Sequence, residues 1–247
     1  MSENILYHYT HRNALINILR NRSLWAADYK YLIDNNEITK LCSKLKDFNP
    51  NNIYIQKIAD LSSSLPANKG IFSLSEQGDL LSEWIHYGEY AVGFNVNNLN
   101  KCLESQGFYP LQRCIYNENA QNKILDNFIA DSDSFDIENF LSTIALLFKD
   151  SKFSEEKEWR AISSSLPLTS SSKHDKWKIR ITSSKHIVEY LEINLSEFFP
   201  IEEIIISSEK DFAEEKESLE NILLKTYGLK SLDKIHILKS SIPFRKI

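Results

Sequence analysis

Glu155, Glu156 and Glu158 put three acids within four positions of the run Phe153–Ser165, and Trp159 and Arg160 follow at once. Alternation along an extended chain sets Glu158, Arg160 and Ile162 on one face and Trp159 and Ala161 on the other. A carboxylate at the mouth of a strand, with an arginine two residues on, can be aimed at a ligand; the plain alternative is a solvated acidic turn before an ordinary strand. Two other stretches join it. In Tyr7-His8-Tyr9-Thr10, His8 and Thr10 share one strand face and Tyr7 and Tyr9 the other. The His8 imidazole is able to donate to a ligand hydroxyl or carbonyl, supplemented by Thr10, or else is a strand-end histidine bonded to backbone. Ser73 and Ser75 likewise share a face, opposite Phe72 and Leu74; serines facing inward on an apolar strand need partners. Asp79, Trp84 and Tyr87 come next. Trp84 and Tyr87 are neighbours on a helix at i, i+3, as core packing or as a stacking wall for a flat ring.

Other chemistries have less behind them. His8 and His11 are three apart, but they straddle a strand-to-helix junction, and no HExxH or Cys/His cluster supports a metal site. Six glycines form neither GxGxxG nor GxxxxGK[ST], so the usual phosphate cradles are absent. No GxSxG occurs, and no histidine lies near a cysteine in sequence.

The elements that must carry these residues read as a mixture of helices and short strands. Strands are expected at 5–9, 23–27, 70–75, 90–96, 111–116, 159–163, 177–181, 187–193, 201–207 and 234–238, from apolar and β-branched runs. Helices are expected at about 11–22, 34–45, 53–61, 78–87, 119–130, 137–148 and 211–227. The last is the best signalled, with acids early, Lys225 late and Gly228 at its stop. Ser164–Lys176 is serine-rich and reads as a loop. At 247 residues and 42% hydrophobic content the chain can bury a proper core, and an α+β fold follows from the element order. A net charge of −5 gives no general electrostatic reason to bind duplex nucleic acid or an anionic membrane. Three scattered cysteines, Cys42, Cys102 and Cys114, suit free thiols in a reducing compartment. No basic segment followed by an apolar run opens the chain, and no stretch approaches a membrane span, so a cytoplasmic protein without membrane partners is expected.

The strand LYHYT, the strand FSLSE with its DLLSEWIHYG helix, the strand AVGFNV and the run EKEWR together resemble a widespread bacterial family of unknown function. Its members read LYHYT, SLSE with a D…W..Y helix, and E.EWR. That architecture in turn resembles the ADP-ribosyltransferase superfamily, in its H-Y-E clade of poly-ADP-ribose-polymerase-like and diphtheria-toxin-like enzymes. The resemblance covers about residues 4–163. It implies a single domain over 1–247 with a mainly antiparallel split sheet, surrounding helices, a helical insertion at about 118–150 and a C-terminal strand–helix–strand at about 200–240. It also implies NAD as co-substrate without a metal. His8 would hold the nicotinamide ribose with Thr10 beside it, and Tyr9 and Arg160 complete the donor-binding set. Phe72, Ser73 and Ser75 match a strand that carries an aromatic or serine motif, while Trp84 or Tyr87 would stack on nicotinamide. Glu158 matches the catalytic glutamate, and Glu156 gives an E-x-E spacing like that of arginine-modifying toxins. Phe72 stands where the clade usually has tyrosine, unless Tyr87 takes that role, and the Ser-x-Ser is paired with His8 rather than with an arginine. The acceptor is therefore open between protein and single-stranded nucleic acid.

The chemistry implied is loss of nicotinamide through an oxocarbenium-like transition state, which a carboxylate against the ribose stabilises. Glu156 would help deprotonate the acceptor. The superfamily implies a toxin or phage-defence effector, with an antitoxin or other neutralising protein as partner. The basic tail Lys239–Ile247, with Phe244 and Arg245, suits a single strand or is a frayed terminus. A non-catalytic nucleotide-binding sensor and an NAD glycohydrolase are the competing expectations.

Overall fold

A computed structural model describes residues 4–31, 69–130, 143–164, 177–181, 186–229 and 233–243. The helices expected at 34–45 and 53–61, most of that at 137–148, the serine loop after Ser164 and the last four residues lie outside it. In chain order the elements are β1 (Ile5–Thr10), α1 (Arg12–Asn21), β2 (Ser23–Asp28), β3 (Gly70–Ser75), α2 (Leu81–Tyr87), β4 (Tyr90–Asn95), α3 (Val96–Glu104), β5 (Gln112–Arg113) and α4 (Glu118–Ala130). A 3-10 turn at Ser151–Glu156 precedes β6 (Glu158–Ile162), β7 (Trp177–Ile181), β8 (Ile187–Asn194), β9 (Ile201–Ile206), α5 (Phe212–Tyr227) and β10 (His236–Lys239).

The strands make one open, mostly antiparallel sheet in the order β10-β9-β4-β1-β3-β2-β8-β7, with β6 on β3 and β5 on β6. Among the described strands only β10 runs parallel to its neighbour. β3 is the branch point. β6 pairs along one of its edges from Ile71 to Ser75, so β1 and β2 must share the other edge. They take opposite ends of it: Tyr7 stands against Ser75, and Ala27 and Asp28 against Ile71 and Gly70. Two more residues along each ladder would bring both Tyr9 and Trp25 opposite Ser73. Both cannot occupy that position on one edge, and neither pair forms; β1 stays with β4 through six residue pairs and β2 with β8 through five. The two wings, twisting separately, leave a fork in the sheet at Ser73.

One face of the sheet carries the main core. Leu6, Leu24, Ala26, Phe72, Leu74, Val92 and Phe94 lie there under α1, α3 and α5. α1 buries Leu15, Ile18 and Leu19 at helical spacing, and α5 buries Leu219 and Leu223. Among the described residues, two apolar patches cover the opposite face. Tyr9, Ala91 and Ile205 lie with Trp84 of α2, and Ile71 and Ile162 lie with Leu146 and Leu147. Register places Ser73, Ser75, Arg160 and Glu158 between those patches.

Several expectations shift. The helix expected from residue 78 begins at Leu81, because the Asp79 carboxylate is spent on Trp84 Nε1, Ser240 Oγ, and the backbone N–H and Oγ of Ser241. The strand expected at 111–116 is only Gln112–Arg113; beyond it the Cys114 N–H turns to the Glu158 carbonyl and Ile115 bridges to Phe148 in parallel. α3 was not expected, although Asn95 caps it by accepting from the Asn98 N–H and Leu99, Cys102 and Leu103 form its buried stripe.

Candidate functional site

Glu158 is set in place by its backbone. Asp150 caps the 3-10 turn by accepting from the Lys152 N–H, and Lys157 reverses the chain at a left-handed φ of 43°. Ser75 Oγ donates to the Glu156 carbonyl at 2.6 Å. The Glu158 N–H donates to Tyr116 Oη at 2.8 Å. β6 therefore starts in register with the end of β3, and the Glu158 side chain leaves it on the face shared by Ser73 and Ser75, as alternation demands.

Glu158 is 6% exposed and its carboxylate is doubly paired. Arg160 Nε donates to its Oε1 at 2.8 Å and Arg160 Nη2 to its Oε2 at 3.1 Å. Lys149 Nζ donates to Oε2 at 2.5 Å and also to Glu156. Arg160 is anchored in turn, its Nη1 donating to the Leu146 carbonyl at 2.6 Å. Burial alone would push the carboxyl of Glu158 up, but Arg160 and then Lys149 outweigh it and hold the group at about 2. It is an ionised carboxylate at any physiological pH.

α2 brings a contrasting carboxyl to the same place. Glu83 is 7% exposed, and burial pushes it up to about 8, with the carboxylates of Glu156 and Glu158 adding to the rise and Lys149 opposing it. Tyr87, at i, i+4 on the same side of the helix, keeps 42% of its surface open. Burial pushes its phenol up to about 12, and Glu156 and Glu83 push the same way. Two carboxyls with proton affinities driven this far apart, beside an accessible ring, are what general acid–base or electrostatic catalysis requires.

The fork is a second centre. His8 Nδ1–H donates to the Ser73 carbonyl at 3.0 Å, the group the missing ladder leaves open, and the imidazole lies 4.3 Å from the Phe72 ring. Burial lowers its pKa to about 4, against the Ser73 bond and with help from Arg180, so the ring is neutral and Nε2 is an acceptor. Across the gap Trp25 packs on Tyr190 at 4.7 Å with the Arg180 guanidinium 5.6 Å from the Trp25 ring centre.

The expected residues thus fall into two sets. Glu156, Glu158, Arg160, Ser75 and Tyr87 gather at the carboxylate cluster; His8, Ser73 and Phe72 gather at the fork. Tyr7, not His8, is in line with Ser75 and Glu158, and His8 leaves β1 on the other face opposite Val92. The carboxylate cluster and the His8–Phe72 pair therefore lie on opposite faces of the sheet. Four expected contacts are occupied by packing instead. Trp84 is 2% exposed, with its indole N–H on Asp79 and its ring edge-on to Tyr9, so Tyr87 is the open aromatic of the pair. Tyr9 is buried, its hydroxyl donating to the Gln77 carbonyl and accepting from the Leu80 N–H. Thr10 and Phe72 are buried too. Sequence reasoning missed Glu83, Lys149 and Tyr116. The spacing of Glu83 to Tyr87 was a readable signal; nothing in the sequence marks Lys149 as the partner of residues on β6.

Residues 83–161 match the model of a family described as a protein of unknown function (DUF2971). No curated protein and no solved structure matches the chain. The matched span runs from Glu83 through Tyr87, Lys149, Glu156 and Glu158 to Arg160 and Ala161, and leaves out His8 and β3. Among the described residues, no helix is long and apolar enough to cross a membrane.

Proposed function

We propose that the chain is an ADP-ribosyltransferase that uses NAD as donor and a macromolecule, protein or single-stranded nucleic acid, as acceptor. The observation that carries this reading is Glu158: a buried carboxylate kept ionised at the start of a strand, beside an open tyrosine ring and a fork in the sheet. Among the described residues Oε1 accepts from Arg160 Nε alone, which leaves a lone pair for a ribose hydroxyl. As the bond to nicotinamide breaks, positive charge grows on the ribose, and a fixed carboxylate stabilises it without reorganising. Tyr87 stacks on the nicotinamide ring. The fork, with neutral His8 on one side and Arg180 on the other, receives the rest of an extended dinucleotide. An effector role in a toxin–antitoxin or phage-defence setting rests on the superfamily resemblance alone.

The test is incubation of wild type and Glu158→Gln with labelled NAD and separated protein, RNA and DNA fractions. Nicotinamide release and label transfer by wild type, reduced about 100-fold or more in a folded Glu158→Gln, is the expected result. Release without transfer makes the protein an NAD glycohydrolase. A second reading is favoured by the pairing of Glu158 with both Arg160 and Lys149, which also suits a structural ion-pair network beside a non-catalytic nucleotide-binding site. Folded wild type that binds NAD and consumes none in any fraction establishes that reading.

A further inference from the structure

The acid chemistry at the cluster has one member that the E-x-E spacing does not announce. Glu83 makes no hydrogen bond and no ion pair among the described residues, although more than nine-tenths of it is buried. A buried carboxyl without a partner is costly, so its retention asks for a use. Among the described residues, the sealed side-chain polar atoms without partners are Ser82 Oγ, Trp177 Nε1 and Arg180 Nε, and neither oxygen of Glu83 is one of them. Glu156, by contrast, has its carboxylate tied to Lys149, and both oxygens of Glu158 are engaged by cations.

We propose that Glu83 is the catalytic base of the site, taking the proton of the acceptor nucleophile in place of Glu156. The inference rests on the transferase reading and deepens it. In the step, the acceptor's O–H or N–H group forms a bond to C1 of the nicotinamide-bearing ribose. The ribose–nicotinamide bond breaks, its electron pair goes to the pyridinium nitrogen and leaves nicotinamide neutral, and the acceptor's proton passes to the Glu83 carboxylate. No oxidant or further co-reactant is needed. The charges bearing on Glu83 suit the task. Glu155 and Glu156 from the 3-10 turn and Glu158 from β6 raise its proton affinity, and Lys149 opposes them. Tyr87 on its own helix stays protonated, as does Tyr9 on β1. With Glu158 held at about 2 and Glu83 at about 8, one carboxylate stabilises charge while the other exchanges a proton near the operating pH.

The full chain is incubated with nicotinamide-labelled NAD and a desalted cell extract supplying protein and RNA acceptors, and release above the extract's own is followed from pH 5.5 to 9.5. Wild type is expected to climb tenfold per pH unit and bend near pH 8. Glu83→Gln should lose roughly 100-fold at pH 8 together with the bend, while Glu156→Gln keeps the bend. Glu83→Asp, which retains a titrating carboxyl, should keep a pH-dependent limb at a lower rate and serves if Glu83→Gln does not fold. Wild-type rate and bend in Glu83→Gln, or loss of the bend in Glu156→Gln instead, overturns this assignment and leaves the transferase standing. No NAD consumption by wild type overturns the transferase reading, and this assignment with it.

Discussion

The carboxylate cluster and the sheet fork lie on adjoining strands, yet they solve the problem of burying polar groups in opposite ways. At the cluster, charge is kept and neutralised by charge: Glu158 lies between Arg160 and Lys149. At the fork, charge is avoided: His8 stays neutral and closes an orphaned backbone carbonyl with its N–H. The first arrangement costs desolvation and returns a strong fixed field, which is useful where a reaction develops charge. The second holds shape without a field, which suits a place where a ligand is seated. Glu83 is the exception inside the cluster, buried as deeply as Glu158 and given no cation of its own.

Breaking a pair at the cluster should therefore cost most. Arg160→Met leaves Glu158 with Lys149 alone and the Leu146 carbonyl without its donor, and should lower stability by about 3–5 kcal/mol in urea unfolding. A loss under 1 kcal/mol would show that Glu158 is hydrated and the cluster is not a buried network.

The next effect is set by pH and tells the two carboxyls apart. Glu83 has a folded pKa raised to about 8. The native state therefore holds a proton that the unfolded chain has lost, and stability falls as pH rises from the ordinary glutamate range through about 8. Glu83→Gln should melt like wild type near pH 4 and higher than wild type at pH 9, by on the order of a few kcal/mol. Glu158 has the reverse sign. Its folded pKa is depressed to about 2, so its contribution is present above the ordinary glutamate range and lost as pH falls toward 2. A Glu83→Gln difference that did not change with pH would place Glu83 in solvent and remove the contrast.

The smallest effect belongs to the fork. His8→Gln, unable to reproduce both the ring packing on Phe72 and the bond to Ser73, should cost about 1–2 kcal/mol at pH 7. His8 has a folded pKa depressed to about 4. Wild type should thus lose stability as pH falls from about 6.5 toward 4, and part of that slope should vanish in His8→Gln. A cost as large as that of Arg160→Met would mean that the fork, too, depends on a charged network.

Much of the local structure was legible. β3 was expected at 70–75 and lies at Gly70–Ser75, and α5 with its Asp211 cap and Gly228 stop follows its sequence signals. The sharing of faces by Ser73 with Ser75, and by Glu158 with Arg160, also holds. These depend on the two-residue period of an extended chain and on caps within a few residues, and both are written in neighbouring positions. α3 was equally written, in Asn95 and the stripe Leu99, Cys102, Leu103, and was overlooked behind the strand it follows. The late start of α2 was not written, because the residues that draw off Asp79 are Ser240 and Ser241, more than 150 positions away.

By itself, then, the sequence determined which residues share a strand face, where most described helices and strands lie, and that a carboxylate opens β6. Only the tertiary structure decided what that carboxylate meets. Register against β3 put Glu158 in line with Tyr7 rather than His8. The turn at Thr143–Phe148 delivered Lys149 and the Leu146 carbonyl, and α2 delivered a second carboxyl with no side-chain partner among the described residues. Face alternation is a property of the backbone within one strand, whereas proton affinity and charge pairing depend on which distant segments exclude water and which bring a cation. No spacing along the chain encodes that.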